Sequence, residues 1–375
     1  MRAAIIGGGI GGLAAAVALR RVGIEAVVAE RAAGIREVGA GLSLWSNAVN
    51  ALRELGLADQ AIAAGSVFER STSQTPRGRV ITTTDLGEIS RMAGVPSVCI
   101  HRADLLRILS DALREGTVRT SARCSGFEGS AAILDNGERI EADLLIGADG
   151  IGSVVRERLH GASEPRYAGY TCLRGIAEDR SFLPNHSTLL TVGAGTQFGL
   201  FPCGPGRVYW FLTRNAPSGT GHSKGDALRI CRAWPSPIPE VIEATPEGAI
   251  IQNDIIDRRP LGHWGRGRVT LLGDAAHATT PNLGQGACMA LEDAVVLAHC
   301  LHTIQHVEAA LREYERLRIP RTTMVVTKSW QSGRMFQLDQ PALEAVRNWF
   351  FRTSLAGLLG MRMFRDLLLY RVPAL

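Results

Sequence analysis

The sequence predicts an α/β fold in which a parallel sheet begins the chain and a mostly antiparallel sheet is inserted later. Two observations support this prediction. The first thirty residues combine a short apolar run, a glycine-rich turn, an Ala-rich helical stretch and a second apolar run, which together make one β-α-β unit. Residues 165–268 are instead rich in Tyr, Phe, Trp, Gly and Pro, with alternating segments such as RVYWFL that are typical of antiparallel strands.

The bulk composition fits an ordinary globular enzyme and excludes several other classes. The chain has 375 residues, of which 46% are apolar and 21% charged, and this length accommodates about two or three core-forming units. The formal net charge of +5 is spread along the chain without a run of like charges, so no nucleic-acid partner is expected. The seven cysteines include no CxxC pair, which favours reduced thiols and a cytoplasmic location.

A glycine pattern lies where the first predicted strand meets the first predicted helix. The first apolar run is followed by Gly7, Gly9 and Gly12, and the second run, 26–29, ends before Glu30. In this arrangement the first glycine permits a tight turn, the second lets a pyrophosphate approach the backbone, and the third lets helix and strand pack closely. A carboxylate at the end of the second strand can accept hydrogen bonds from both ribose hydroxyls of an adenosine. The pattern therefore predicts a Rossmann-like site for FAD or NAD.

Two further motifs each place an acidic turn at the end of a predicted strand. The segment GADG at 147–150 follows a strand predicted over 140–146, and GDAAH at 273–277 follows the apolar run 269–272. The second motif continues through a proline and a GQG segment into a predicted helix, whose N-terminal N–H groups can bind an anionic group. Taken alone, the first motif has a simpler interpretation as a turn that the Asp149 side chain caps.

In this order the three motifs resemble those of the flavin-dependent aromatic hydroxylase family, of the para-hydroxybenzoate and salicylate hydroxylase type. The resemblance covers nearly the whole chain and is weakest in the tail from residue 331. The segments GDAAHATTPNLGQGACMALEDA and SNAVNAL are especially similar to the branch that contains salicylate, urate and alkylquinolone hydroxylases and zeaxanthin epoxidase. The resemblance implies a Rossmann-like FAD-binding domain with an inserted antiparallel-sheet substrate domain and a helical C-terminal tail.

The resemblance also implies which residues contact non-covalently bound FAD. The three glycines of the first motif and Glu30 would hold its ADP half, and the backbone at 284–286 would lie against the flavin ring. There it can stabilise negative charge on the reduced flavin. The full set of expected cofactor contacts is Gly7, Gly9, Gly12, Glu30, Arg31, Ser43, Arg102, Cys124, Asp149, Asp274, Gly284, Gln285, Gly286 and Ala287.

Four of these residues have a more specific expected role. Arg102 matches a family arginine that contacts FAD near its pyrophosphate, and Asp274 would hydrogen-bond the ribityl chain or the pyrophosphate side. Asp149 would lie in a turn that serves both FAD and a passing nicotinamide. Ser43 matches a position near the flavin, although Ser46 stands where family members often have a proline.

The implied activity is the insertion of one oxygen atom from O2 into a small aromatic or heteroaromatic substrate. NADH or NADPH would reduce the flavin during transient binding, because no second glycine pattern predicts a nicotinamide domain. A flavin C4a-hydroperoxide would then transfer the oxygen atom. Two alternatives stay open: an epoxidase of an unsaturated lipophilic substrate, which a wholly apolar pocket would favour, and an NAD(P)H oxidase without oxygenated product.

The substrate pocket is less well specified by the sequence. A phenol reacts faster as its phenolate, so a base would help, and Tyr209 in the RVYWFL segment is the candidate catalytic residue. In urate-type relatives an arginine occurs near the position of Gln197, and its absence argues against an anionic, urate-like substrate. Core packing is the alternative role for each aromatic side chain. The expected lining residues are Trp45, Tyr170, Gln197, Phe198, Tyr209 and Pro281.

Three histidines in the segment HCLHTIQH fall on one helical face, but no carboxylate or cysteine completes a metal site at the usual spacing. No metal is therefore expected. His277 of the third motif could act as a base, and the family resemblance favours a structural role for it.

The chain is expected to divide into a discontinuous FAD-binding domain, a substrate domain and a tail. The first comprises residues 1–69, 99–164 and 269–330, the second 70–98 and 165–268, and the third 331–375. The tail carries aromatic and aliphatic residues among scattered arginines, a pattern that fits either a weak contact with a membrane surface or a helix packed over the substrate domain. A monomer or a homodimer is expected.

Overall fold

A five-stranded parallel sheet organises the first part of the fold. The computed structural model describes residues 1–34 and 40–375. Every neighbouring pair of strands in this sheet is parallel, as the β-α-β pattern predicts, and the strands are mainly apolar and buried except for the short strand at one edge. From one edge to the other the strands are β18 (Val269–Leu271), β12 (Leu144–Gly147), β1 (Arg2–Ile6), β2 (Glu25–Ala29) and β8 (Val118–Arg119).

Helices surround this sheet and form a large common core with it. The first of them is rich in alanine, whose small side chains let it pack closely against a long buried helix later in the chain. The helices of this region are α1 (Ile10–Arg21), α2 (Ser46–Glu54), α3 (Ala58–Ala64), α5 (Arg102–Asp111), α6 (Val154–His160), α9 (Asp274–His277), α10 (Gly286–Thr303) and α11 (Val307–Phe336).

Two small three-stranded sheets lie beside the parallel sheet. One contains β3 (Gly41–Leu44), β4 (Ser66–Val67) and β7 (Val98–His101), and the other contains β9 (Cys124–Glu128), β10 (Ala131–Leu134) and β11 (Arg139–Ile140). The sequence predicts one strand over 140–146, and this prediction is wrong. Ile140 pairs with the antiparallel β10, whereas the following strand joins the parallel sheet, so the chain must break between them.

A seven-stranded, mostly antiparallel sheet forms the second half of the molecule, as predicted. Its strands in spatial order are β17 (Ile251–Asp257), β13 (Arg166–Ala177), β16 (Val208–Asn215), β15 (Thr196–Pro202), β14 (Ser187–Gly193), β5 (Arg70–Gln74) and β6 (Val80–Asp85). The pairing of β5 with β14 is parallel and attaches the early hairpin to the later strands. Because this pairing joins strands from 70–98 and 165–268 in one sheet, we propose that the chain divides into the three parts predicted from the sequence.

Five further helices complete the described structure. The predicted strand-rich segments contain three that the sequence pattern does not reveal: α4 (Gly87–Ala93), α7 (Lys224–Cys231) and α8 (Ile238–Ala244). The last two cover one face of the seven-stranded sheet and share a core with it. The tail is helical, as expected, and forms α12 (Pro341–Phe351) and α13 (Ser354–Leu368). Within the described ranges no helix combines the length and the apolar character needed to cross a membrane.

Candidate functional site

A cavity of about 1030 Å³ lies between the parallel sheet and the seven-stranded sheet. The turns that follow β1, β12 and β18 all open into it, because the carboxyl ends of parallel strands lie at the same edge of their sheet. The residues that these three turns contribute to the cavity wall include Gly9, Gly150 and Asp274. The three sequence motifs therefore meet at one place.

The glycines of the first turn differ in what surrounds them. Gly7 has a φ of +108°, and a Cβ atom on Gly12 would lie 1.9 Å from the carbonyl oxygen of Gly7. Both positions therefore need glycine for the backbone itself. A Cβ atom on Gly9 would meet nothing within 4 Å, so this position leaves the N-terminus of α1 open to a ligand in the cavity.

Glu30 directly follows β2 and lies beside the glycine turn, as the motif predicts. Its carboxylate accepts hydrogen bonds from the backbone N–H groups of Gly8, at 2.7 Å, and Ala32, at 2.8 Å. These bonds place a negative charge next to the open N-terminus of α1. Arg31 follows it with an exposed side chain that does not line the cavity.

The Asp149 side chain holds the start of α6 together. Its Oδ2 atom accepts a hydrogen bond from the N–H group of Val154 at 2.8 Å, while Oδ1 is buried without a partner. Burial raises the pKa of this carboxyl group. The cavity is lined by the flanking Ala148 and Gly150, so the side chain acts as the turn cap that the simpler interpretation describes. The Asp149 contact with FAD and nicotinamide stays a prediction.

The third motif contributes Asp274 and the N-terminus of α10 to the cavity. Gly284, Gly286 and Ala287 line it, and Gly284 has a φ of +61°. Gln285 differs from its neighbours, because its side chain is buried and accepts a hydrogen bond from Asn47 at 2.9 Å. We expected Gln285 among the cofactor contacts, but its side chain points away from the cavity.

Of three further expected cofactor residues, two line the cavity and one does not. Ser43 on β3 and Arg102 at the start of α5 both line the cavity. Cys124 does not, because its thiol is buried and donates to the carbonyl oxygen of Gly126 at 3.2 Å. The assignment of Cys124 to the cofactor site is therefore not supported by its position.

A buried cluster of charged residues, which we call the α10–α11 ion cluster, contacts the third motif on the side that does not line the cavity. It consists of Glu292, Asp293, Arg318 and Arg321. Arg318 donates to Glu292 and to Asp293 at 2.7 Å each, and Arg321 donates to Glu292 at 3.1 Å. Burial alone would raise the pKa values of the two carboxyl groups, but the facing cations hold both below their ordinary range. The cluster is therefore ionised at neutral pH.

The ion cluster fixes the backbone of the third motif. Asp293 accepts a hydrogen bond from the N–H group of Gly273 at 3.1 Å and lies 2.5 Å from Nε2 of His277. His277 is buried against Trp264 and does not line the cavity. These contacts agree with the structural role that the sequence favours for His277.

One face of the seven-stranded sheet forms the opposite wall of the cavity. Cross-strand partners on this face make successive rows: Cys172, Thr213 and Gln197 in one row, and then Arg174, Phe211 and Gly199 in the next. A Cβ atom on Gly199 would lie 2.2 Å from the Phe211 ring, so this glycine makes room for the ring. A further row brings Tyr209 and Phe201 into the cavity wall.

Four of the expected pocket residues line the cavity and two do not. Trp45, Gln197, Tyr209 and Pro281 line it. Phe198 follows Gln197 in the same strand, so it points to the opposite face, where it stacks on Trp210 in the core under α7 and α8. Tyr170 is covered by Asn282, which accepts a hydrogen bond from its hydroxyl group at 2.7 Å. The pocket assignments of Phe198 and Tyr170 are corrected accordingly.

Arg174 is a cavity residue that the sequence analysis missed. It lies on β13 in the row next to Gln197, with its side chain in the cavity wall. The surrounding segment, YTCLRGIA, is mainly a buried strand pattern, and its period-two alternation was the only signal that placed Arg174 on the same face as Cys172.

The inner faces of the two tail helices close the far side of the cavity. Phe351 on α12 and Met361 and Phe364 on α13 line it. Their outer faces carry large apolar side chains that are exposed, with Trp349 67% and Leu358 69% accessible to solvent. The tail therefore packs over the substrate sheet, as one of the two interpretations predicts, and is apolar on both sides.

No group of His, Cys, Asp and Glu residues suited to a metal ion occurs among the residues that the structure describes. His299 of the HCLHTIQH segment instead lies 2.9 Å from the carbonyl oxygen of Ala374.

Comparison with known proteins agrees with the geometry of the site. The family model described as an FAD binding domain matches residues 1–329. The chain is 39% identical to the aurachin C monooxygenase/isomerase of Stigmatella aurantiaca over 97% of both chains. It is 35% identical to an FAD-dependent urate hydroxylase of Klebsiella pneumoniae, over 96% of this chain and 100% of the relative.

Solved structures show the same architecture. The crystal structure of Klebsiella pneumoniae HpxO complexed with FAD and uric acid matches with a TM-score of 0.91 and 32% identity. The match covers 98% of this chain and 97% of the other. The likeness therefore extends over both sheets, the cavity between them and the tail helices.

Proposed function

The chain belongs to the FAD-binding-domain family of flavin-dependent monooxygenases and uses FAD, NAD(P)H and O2 to hydroxylate an aromatic substrate, and from this premise we propose that its substrate is a heteroaromatic ring bearing an apolar substituent. The observation that carries the proposal is that the cavity has a polar wall and an apolar end. One wall presents Arg174, Gln197 and Thr213, and the far end presents Phe351 and Met361. A purely polar substrate would leave the apolar end without complementary contacts.

The positions of the motif residues support a specific arrangement of FAD. Gly9 and the open N-terminus of α1 would receive the pyrophosphate, and Glu30 would receive the adenosine ribose. Asp274 and Arg102 lie further along the cavity and would contact the central part of the cofactor. The backbone from Gly284 to Ala287 would lie against the flavin ring, where N–H groups at the start of α10 favour negative charge.

The protein's own contribution to the reaction is binding, orientation and exclusion of water. When bound, FAD supplies the acceptance of hydride and the activation of O2. In this proposal the substrate ring would lie between the rows of the seven-stranded sheet and the cofactor site, and the tail helices cover the opposite end of the cavity. A site enclosed in this way keeps water from the reacting centre. Arg347 helps to hold the cover in place by donating to the carbonyl oxygen of Phe336, at 3.3 Å, at the end of α11.

The substrate proposal predicts a defined order in a panel of compounds. NAD(P)H oxidation by the FAD-loaded protein should be stimulated most by quinolones with an alkyl chain and by aurachin C, the compound named for a similar monooxygenase, and less by 4-hydroxyquinoline, salicylate and uric acid. Mass spectrometry should find one added oxygen atom in the product of the stimulated reaction. Equal stimulation by chain-free and alkylated rings would contradict the role of the apolar end. Oxygenation of an isolated polyene instead would favour the epoxidase.

We further propose that the outer face of the tail rests weakly on an anionic membrane surface. Exposed apolar side chains concentrate on this face, namely Leu343, Val346, Trp349, Leu355, Leu358 and Leu359. Arg352 and Arg362 are exposed beside them and could interact with anionic headgroups. Tryptophan and arginine are suited to the interface between apolar chains and headgroups.

Vesicle co-sedimentation tests this surface. The wild type should bind vesicles that contain phosphatidylglycerol better than vesicles of phosphatidylcholine alone, and the double variant Trp349→Ala/Leu358→Ala should bind roughly tenfold more weakly because it loses apolar contact area. Leu317→Ala removes a partly exposed leucine from α11 and serves as the matched control. If the double variant binds as well as the control, the tail is not the membrane-contacting surface.

A further inference from the structure

Arg174 is a cation in the cavity wall without an anionic partner. Its side chain is half-buried on β13, between the Cys172 row and the Tyr209 row of the sheet. In the described part of the chain no carboxylate forms an ion pair with it, unlike Arg166 on the same strand, which binds Asp257 at 2.8 Å. A charge in a partly desolvated wall is unfavourable unless something of opposite sign accompanies it.

The ionisable groups that face Arg174 are neutral at physiological pH. They are the Cys172 thiol and the Tyr170 hydroxyl on its own strand and the Tyr209 hydroxyl on β16. Burial raises the pKa values of all three above their ordinary range. The protein therefore supplies hydrogen-bonding groups around this guanidinium but no counter-charge, and the open side of the guanidinium faces the cavity.

We infer that Arg174 binds an anionic oxygen attached to the substrate ring, so that the substrate is held as its oxyanion. This inference rests on the proposed function, because it concerns the ring that is hydroxylated. A ring with an ionised oxygen is more electron-rich than its neutral form and accepts an electrophilic oxygen more readily. The guanidinium selects and orients that form by a charge-assisted hydrogen bond.

The inference changes two expectations from the sequence. The absence of an arginine at Gln197 argued against an anionic substrate, but Arg174 provides the cation in an adjacent row, two strands away on the same face of the sheet. Tyr209 was the candidate base, yet a tyrosine whose pKa is raised by burial stays protonated, so it can take part in hydrogen bonds but cannot act as a phenolate base. A protein base is then unnecessary for a substrate that releases its proton to water, because Arg174 stabilises the anion that remains.

Isothermal titration of the FAD-loaded protein, without NAD(P)H, tests this role independently of turnover. The ligands are 4-nitrophenol at a mildly alkaline pH, where it is ionised, and 4-nitroanisole, which has nearly the same shape but no charge. The wild type should prefer 4-nitrophenolate. Arg174→Gln should bind 4-nitrophenolate roughly 30-fold more weakly, with little change for 4-nitroanisole, because only the charge-assisted bond is lost.

Control variants separate the charge from the fold. Arg174→Lys should retain part of the preference, and Arg214→Gln, which removes an exposed arginine from β16, should behave as the wild type. Equal binding of the two ligands by the wild type, or an unchanged preference in Arg174→Gln, overturns the inference. So does an Arg174-dependent gain that is seen only with 4-nitrobenzoate, because it would assign the guanidinium to a carboxylate. Anion preference without oxygenated product would count against the proposed function alone.

Discussion

Replacement of Gly12 by alanine should lower the free energy of unfolding of the FAD-free protein by about 3 kcal/mol and abolish FAD retention. The added Cβ atom would lie 1.9 Å from the carbonyl oxygen of Gly7, and the obstacle is backbone in the buried centre of the fold. Either α1 moves away from β1 or the glycine turn changes shape. Chemical denaturation of the apoprotein and the flavin content after purification measure the two effects.

Gly9→Ala is the matched control, because its Cβ atom would meet nothing within 4 Å. We expect this variant to unfold within about 1 kcal/mol of the wild type, since the methyl group meets no obstacle and the only cost is that of a less favourable N-cap residue. It should nevertheless retain less FAD, because the methyl group would occupy the space that we assign to the pyrophosphate. Normal flavin content in Gly9→Ala would place the pyrophosphate elsewhere, and normal stability in Gly12→Ala would contradict the packing argument.

Replacement of Arg318 by methionine should destabilise the protein by about 3–5 kcal/mol at neutral pH. The methionine keeps an unbranched apolar stem, but Glu292 and Asp293 would lose the buried cation that binds both. Because Asp293 also holds Gly273 and His277, the third motif should loosen and FAD should bind more weakly. Arg316→Met is the control, since Arg316 forms an exposed ion pair with Glu313 and such pairs contribute about 0–1 kcal/mol.

The pH dependence distinguishes this electrostatic effect from a packing defect. The pKa values of Glu292 and Asp293 are lowered in the folded protein, so their stabilisation is present above the ordinary carboxyl range and is lost as the pH falls. The difference in unfolding free energy between wild type and Arg318→Met should therefore shrink below a pH of about 4. A difference that stays constant with pH would show that the loss arises from packing.

The sequence predicted the parts of the molecule in which local pattern and final environment agree. The β-α-β unit at the start is an example, because its glycines act on their own neighbours and its apolar runs are buried on both faces of the sheet. The turn between β10 and β11 is another, since the sequence Asp135-Asn136-Gly137 is typical of a hairpin turn and Gly137 has the positive φ of +83° that the turn requires. Such features depend on contacts within a few residues.

The sequence could not predict features that depend on which distant segments meet. Helices α7 and α8 lie within a segment rich in Gly and Pro, and they are stabilised by the core that they share with the sheet. Gln285 turns inward because Asn47, far away in sequence, offers it a partner. Arg174 gains its significance only when β13 pairs with β16 and no carboxylate arrives opposite it in the described structure.

The row structure of the seven-stranded sheet has a consequence for how this enzyme can diversify. On β15 and β16 the residues that face the cavity alternate with residues buried under α7 and α8, as Gln197 and Phe198 illustrate. Substitutions at every second position can therefore redesign substrate preference while the stabilising residues between them stay unchanged. The sheet separates selection for a new substrate from selection for stability, and directed evolution could exploit the Gln197, Thr213 and Phe211 positions as a compact library.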